Sequence, residues 1–248
     1  MMSRYLRAEA IVLAGMLFSG VAVAQDPQAP PPLYTGNVGG GLALTGGNTD
    51  TQTINLSGEI VRDPQTRNVI KASASYLRGD QDDTLNLDRT AVNLRDEYTL
   101  SGRTFAFGQV DYLRDQFKGI VFLWAPTGGI GHKLIDSDSA ELIVDGGAGG
   151  VLEKNPGLDA MTSGSLTAGQ SLRIDLSSSA TLTQAISTLW KTNDFSDSLT
   201  NFSVGVTTTL VGNLELQVEF IDSYKNKPSD PLLKKNDTAF ITAFVWAF

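Results

Sequence analysis

Phe240-Ile241-Thr242-Ala243-Phe244-Val245-Trp246-Ala247-Phe248 closes the sequence with an aromatic ring on every second position except Thr242. Side chains of a strand alternate between its faces, so Phe240, Phe244, Trp246 and Phe248 share one apolar face. Ala239, Ala243 and Ala247 keep most of the other face small. On a soluble edge strand such a face would invite aggregation. Where the outward face meets lipid the same pattern is favoured, because aromatic side chains gather at membrane boundaries.

The alternation extends back along the chain. Leu214, Leu216, Val218 and Phe220 alternate with Glu215, Gln217 and Glu219, and Ile54, Leu56 and Ile60 with Thr53, Asn55, Ser57 and Glu59. Period two with one apolar and one polar face means half-buried strands. Further strands are predicted over residues 38–45, 69–78, 89–100, 105–114, 142–152 and 201–207, and weaker ones over 120–133, 162–173 and 179–190, where Pro126 and Gln184 interrupt the pattern. Turn-prone connections at 63–66, 101–102, 136–139, 175–178 and 212–213 alternate with longer ones at 79–86, 115–119, 153–160, 191–197 and 224–236. Short turns on one side and longer loops on the other fit an all-β, transmembrane antiparallel up-and-down β-barrel of about twelve strands. A soluble β-sandwich also alternates. Its solvent face would carry mixed long charged side chains, whereas the polar faces here are rich in Ser, Thr, Asn, Gln and Gly. The strands also approach the roughly 9 to 11 residues that a tilted spanning strand needs.

Arg4 and Arg7 precede an apolar run, residues 11–18, and Ala22-Val23-Ala24 forms a small-residue cleavage signature. The run is shorter than the roughly 18 to 20 residues of a spanning helix. The expected organisation is a signal peptide over 1–24 cleaved after Ala24, a Pro-rich lead-in over 25–33 and a barrel over 34–248, exported through the general secretory pathway to the outer membrane of a Gram-negative bacterium. The formal net charge is -8, and losing Arg4, Arg7 and Glu9, a net +1, leaves -9. Such an acidic chain is a poor nucleic-acid binder. Cysteine is absent, which removes disulfides, zinc–thiolate sites and thiol nucleophiles. No mature segment is apolar enough for a spanning helix, so a membrane position requires a closed barrel, which satisfies every backbone group in lipid.

Several stretches resemble the salt-stress-induced outer-membrane protein family, bacterial barrels known chiefly as a domain of unknown function. They are the hairpin Leu44-Thr45-Gly46-Gly47-Asn48-Thr49-Asp50-Thr51, Phe107-Gly108 leading into Arg114-Asp115-Gln116-Phe117, and Gly129-Ile130-Gly131-His132-Lys133-Leu134-Ile135-Asp136. The likeness extends to the aromatic last strand and nearly all of the mature chain. It implies a location and a fold but no reaction. Residues 122–126 and the Lys-rich last loop depart from the family pattern. Phe244, Trp246 and Phe248 are also similar to the signal that the barrel-assembly machinery reads on new outer-membrane proteins. An interfacial aromatic girdle would select the same residues.

His132 is the one histidine, and it shares a face with Ile130 and Leu134 near a short-turn end. It is expected to point towards lipid headgroups, which disfavours a hydrolase built on it. Lys71, Arg95, Glu97, Asp111, Asp145, Glu215 and Glu219 fall on the polar sides of their strands. They would set the selectivity of a narrow, cation-favouring channel, or pair with one another in a filled lumen. Asp80-Gln81-Asp82-Asp83 lacks the Gly and distal Glu of a calcium loop and reads as a solvated acidic loop. Lys225, Lys227, Lys234 and Lys235 would meet lipopolysaccharide or form a solvated loop. Gly39-Gly40-Gly41 and Gly146-Gly147 lie inside strands, where glycine marks bends or crowded packing. The expectation is a non-enzymatic, monomeric barrel without cofactor, a narrow channel or an envelope-integrity protein. An outer-membrane hydrolase and a soluble periplasmic β-domain are the alternatives.

Overall fold

This computed structural model describes residues 31–45, 51–81, 84–230 and 232–248. The expected signal segment with Ala22 and Ala24, the Gly47-Asn48-Thr49 hairpin and Asp82-Asp83 lie outside the described residues. Twelve strands follow one another: β1 (Tyr34–Thr45), β2 (Thr51–Arg62), β3 (Asn68–Gln81), β4 (Thr84–Ser101), β5 (Thr104–Asp115), β6 (Ile120–Asp136), β7 (Ala140–Lys154), β8 (Met161–Ser177), β9 (Ala180–Lys191), β10 (Asp194–Val211), β11 (Leu214–Lys225) and β12 (Asn236–Ala247). Each pairs antiparallel with its neighbours in sequence, and β1 also pairs with β12, which closes one sheet into a barrel. The closing seam is short. It registers Asn37 to Gly40 against Ala247 to Phe244, whereas β1 registers along its whole length with β2. Beside it Gly36 and Phe248 exchange two backbone hydrogen bonds of 2.9 Å.

Burial inverts the pattern of a soluble protein. On β12 Phe240 is 71% exposed and Phe244 59%, while Ala243 and Val245 on the other face are 2% and 5% exposed. Leu42, Leu56, Leu94, Ile130 and Leu134 likewise point outward. An outer surface of large apolar side chains around a single closed sheet is the fold of a transmembrane barrel, and it leaves no second sheet for a sandwich.

One end carries the tight turns, at residues 63–67, 102–103, 137–139, 178–179 and 212–213, together with Tyr34 and Phe248. The other, the loop end, carries connections at 116–119, 155–160, 192–193 and 226–235. Much of what the sequence marks as loop is strand: β3 runs on to Gln81, and β9 and β10 leave only residues 192–193 between them. Strands of up to 18 residues outrun a membrane crossing of roughly 9 to 11. Past the lipid both faces of a ladder tolerate polar side chains, and register shifts at Gly79/Asp80 and Asp194/Ser198 absorb the irregular sequence.

Candidate functional site

Small polar and charged side chains fill the inward positions of the half nearer the turns, because every second residue of a strand returns to the same face. β3 contributes Lys71, Ser73 and Ser75, β4 Asn93, Arg95 and Glu97, and β8 and β9 Thr167, Ser171, Thr183 and Ser187. They line a cavity of about 1380 Å³ that reaches the turn-end residues Asp138, Ser139, Ser177 and Ser179. All seven charges singled out in the sequence, Lys71, Arg95, Glu97, Asp111, Asp145, Glu215 and Glu219, line it. Glu59, Glu97, Asp111, Asp138, Asp145, Asp175, Glu215 and Glu219 face four cations, Lys71, Arg89, Arg95 and Arg173, an excess of four negative charges.

The charges are unevenly tied. Arg95 donates to Glu97 Oε1 at 2.8 Å, Gln109 Oε1 at 2.6 Å and Asp145 Oδ2 at 3.1 Å, and its guanidinium sits 3.8 Å from the centroid of the Phe107 ring. Lys71 Nζ lies 2.9 Å from Glu97, and Asp111 accepts from Asn93 and Gln109. The rings of Phe105 and Phe107 turn inward and are buried against Gly131 and Gly129, where a Cβ on Gly131 would fall 2.2 Å from the Phe105 ring. Glu59 on the neighbouring β2, and Glu215 and Glu219 on β11, make no ion pair among the described residues. Lys71 and Arg95 are thus built into the β3–β4 wall and Arg173 into β8 beside Asp175, as a filled lumen requires, while Glu59, Glu215 and Glu219 stay unpaired, as a cation-favouring channel requires.

Towards the loop end the cavity stops. Its ceiling is Leu113, Leu123, Leu189 and Leu199 with Arg89 and Asn201, and the leucines pack with Ile120, Ala125 and Val151 in an apolar cluster inside the barrel. At that cluster and beyond it polar and charged side chains cross the lumen from wall to wall. Arg89 on β4 donates to Asn201 on β10 at 2.8 Å, and these strands are diametrically opposite in a twelve-strand ring. Residues 116–118 form a single 3-10 turn between β5 and β6, capped by Asp115, and Lys118 from this turn reaches Asp237 on β12 at 3.0 Å and the Lys235 carbonyl at 2.6 Å. Lys225 on β11 lies 3.0 Å from Glu153 on β7 and 3.2 Å from Asp197 on β10, and Lys191 on β9 also binds both carboxylates. Lys118, Lys225 and Glu153 are 0%, 2% and 3% exposed. At this depth a charge is tolerable only when paired, and each of these is.

Several sequence-marked residues lie elsewhere. His132 is exposed on the outer face, where Nδ1 meets Thr104 Oγ1 at 2.9 Å, far from any nucleophile constellation. Arg114 is outward too and holds Asp88 through two bonds of 3.0 and 2.9 Å, whereas its neighbour Asp115 is buried inward and Phe117 is half-buried in the 3-10 turn. Phe240, Phe244 and Trp246 stand on the outer face, with Phe248 at the turn end. The Lys-rich cluster is not one surface: Lys225 belongs to the interior, Lys227 pairs with Asp194, Lys235 bonds Asn226, and Lys234 is exposed. Its parity along β11 matches that of Glu215 and Glu219, so the same count of two that reads the wall also sends Lys225 inward. Lys118, Glu153, Lys191 and Asp197 fall in stretches whose composition marks connections, yet Glu153 shares the parity of Asp145.

The family model described as "Protein of unknown function, DUF481" matches residues 38–248. A search of solved structures finds similar folds at low identity. The NanC porin is 8% identical with a TM-score of 0.51 over 86% of this chain and 98% of that one. An outer membrane channel from Pseudomonas putida F1 is 14% identical with a TM-score of 0.50 over 90% and 100%. No curated protein matches the chain. At these identities the likeness concerns the fold.

Proposed function

The chain belongs to the DUF481 family of proteins of unknown function, and from that footing we propose a non-enzymatic barrel of the bacterial outer membrane that works as a narrow, cation-favouring channel closed at rest. The observation that carries the reading is the acidic cavity of about 1380 Å³ that runs from the turn end to a buried, bridged layer. Short turns face the periplasm in such barrels, so the cavity is a periplasmic vestibule and the bridged layer lies towards the cell exterior. Carboxylates concentrated on a low-dielectric wall raise the local cation concentration and repel anions. His132, outward and at the turn end, is badly placed for hydrolysis of a substrate in the lumen. Phe244, Trp246 and Phe248 would serve assembly, and the apolar belt would meet lipid.

Purified protein in planar bilayers tests this. The expected result is long silence broken by openings under applied voltage that pass potassium over chloride. Glu215→Gln with Glu219→Gln should reduce that preference. Openings that favour chloride, or a fully inserted barrel that never opens, would overturn the channel reading.

A further inference from the structure

The bridged layer does more than fill space. Its three ties, Arg89 to Asn201, Lys118 to Asp237 and Lys225 to Glu153, join strands four to six places apart around the ring. A wall needs no such ties, because the closed ladder already holds its strands. The 3-10 turn that bears Lys118 meets the opposite wall through that lysine and through the Gly119 carbonyl, which accepts from Ser229 Oγ at 3.4 Å. Gly119 behind it has φ +64°, and a Cβ there would fall 2.1 Å from Ser229 Oγ, so the turn fits against the β11–β12 connection only with glycine. The strand that follows pairs without a break with β5 from Leu123 to His132, but on its β7 side the ladder has a gap. Pairing of β6 with β7 runs to Trp124 opposite Leu152 and resumes at Thr127 opposite Gly149, since Pro126 has no N–H to donate.

We propose that residues 116–118 are the gate of the barrel, latched across the lumen by Lys118 to Asp237 and secured by Lys225 to Glu153 and Asp197. The inference rests on the channel reading, and its logic is mechanical. With Lys118 released, the turn and Ile120 swing out of the mouth, the apolar cluster loses its cover, and Arg89, Glu153 and Lys225 become the lining of the open pore. A charge that is paired and dry in the closed state is hydrated in the open one, so the same residues serve both states.

The absence of cysteine makes the test clean. Ser165, buried at 1% exposure beside Lys191 and outside the vestibule lining, is replaced by cysteine as a reporter. Its modification by a small cationic methanethiosulfonate is timed in detergent for the reporter protein and with Lys118→Met or Lys225→Met added. The gate predicts labelling at least tenfold faster with Lys118→Met, a smaller rise with Lys225→Met, and a matching gain in open time in bilayers. Unchanged labelling in variants with native heat-modifiable migration would overturn the latch. Faster labelling without any conductance would keep the latch and overturn the channel reading. Asp237→Asn and Asp197→Asn, which preserve shape, carry the same test where the methionine variants do not fold.

Discussion

The two halves of the lumen share their twelve strands and their alternation, yet they treat charge in opposite ways. In the turn-end half Glu59, Glu215 and Glu219 line an open cavity and make no ion pair among the described residues, a position that only contact with water makes tolerable. In the loop-end half Glu153, Asp197, Lys191 and Lys225 are bound to one another, and leucines replace hydroxyls beneath them. The difference lies in hydration rather than in secondary structure. An inward carboxylate is a surface group in one half and a core group in the other, although a single strand, β11, carries Glu215 at one end and Lys225 at the other.

Removing a charge from each half should therefore have very different effects. Glu153→Ala removes the more deeply buried of the two carboxylates that Lys191 and Lys225 share and leaves Asp197 alone against two cations, and breaking a buried network in this way costs about 3–5 kcal/mol. Its urea unfolding midpoint in detergent should fall accordingly, and an unshifted midpoint would mean that the loop-end half is wet. Gly131→Ala comes next. It drives a methyl into the Phe105 ring at the packed wall, with an overpacking loss of about 1–3 kcal/mol. Glu59→Gln, exposed in the open half, should change stability by less than about 0.5 kcal/mol, as for a solvated surface position, while shifting reversal potential. A large loss of stability in that variant would erase the contrast between the halves.

The strands were legible because lipid outside and water inside enforce period two more strictly than a soluble core does. The same count of two places Lys71, Arg95, Glu97, Asp111 and Asp145 on the lumen wall. The ties across the lumen were not legible. Arg89 and Asn201 are 112 residues apart, and they meet only because strands β4 and β10 face each other once the ring closes. Residues 79–86 and 191–197 carry the turn formers Gly, Asp and Asn and so look like loops in the sequence, but the partner strand decides whether such residues pair. In sequence Lys225 stands with the lysines that follow it, yet an inward position at the end of a strand removes it from water.

The closing seam between β1 and β12 is registered over only Asn37–Gly40 and Ala247–Phe244, whereas β1 registers along its full length with β2. A ring parts at its weakest joint, so amide protons along residues 41–45 of β1 should exchange with solvent deuterium sooner than those of β7 or β8. The barrel would then unzip from its two chain termini, and the last bonds formed in assembly would be those between Gly36 and Phe248.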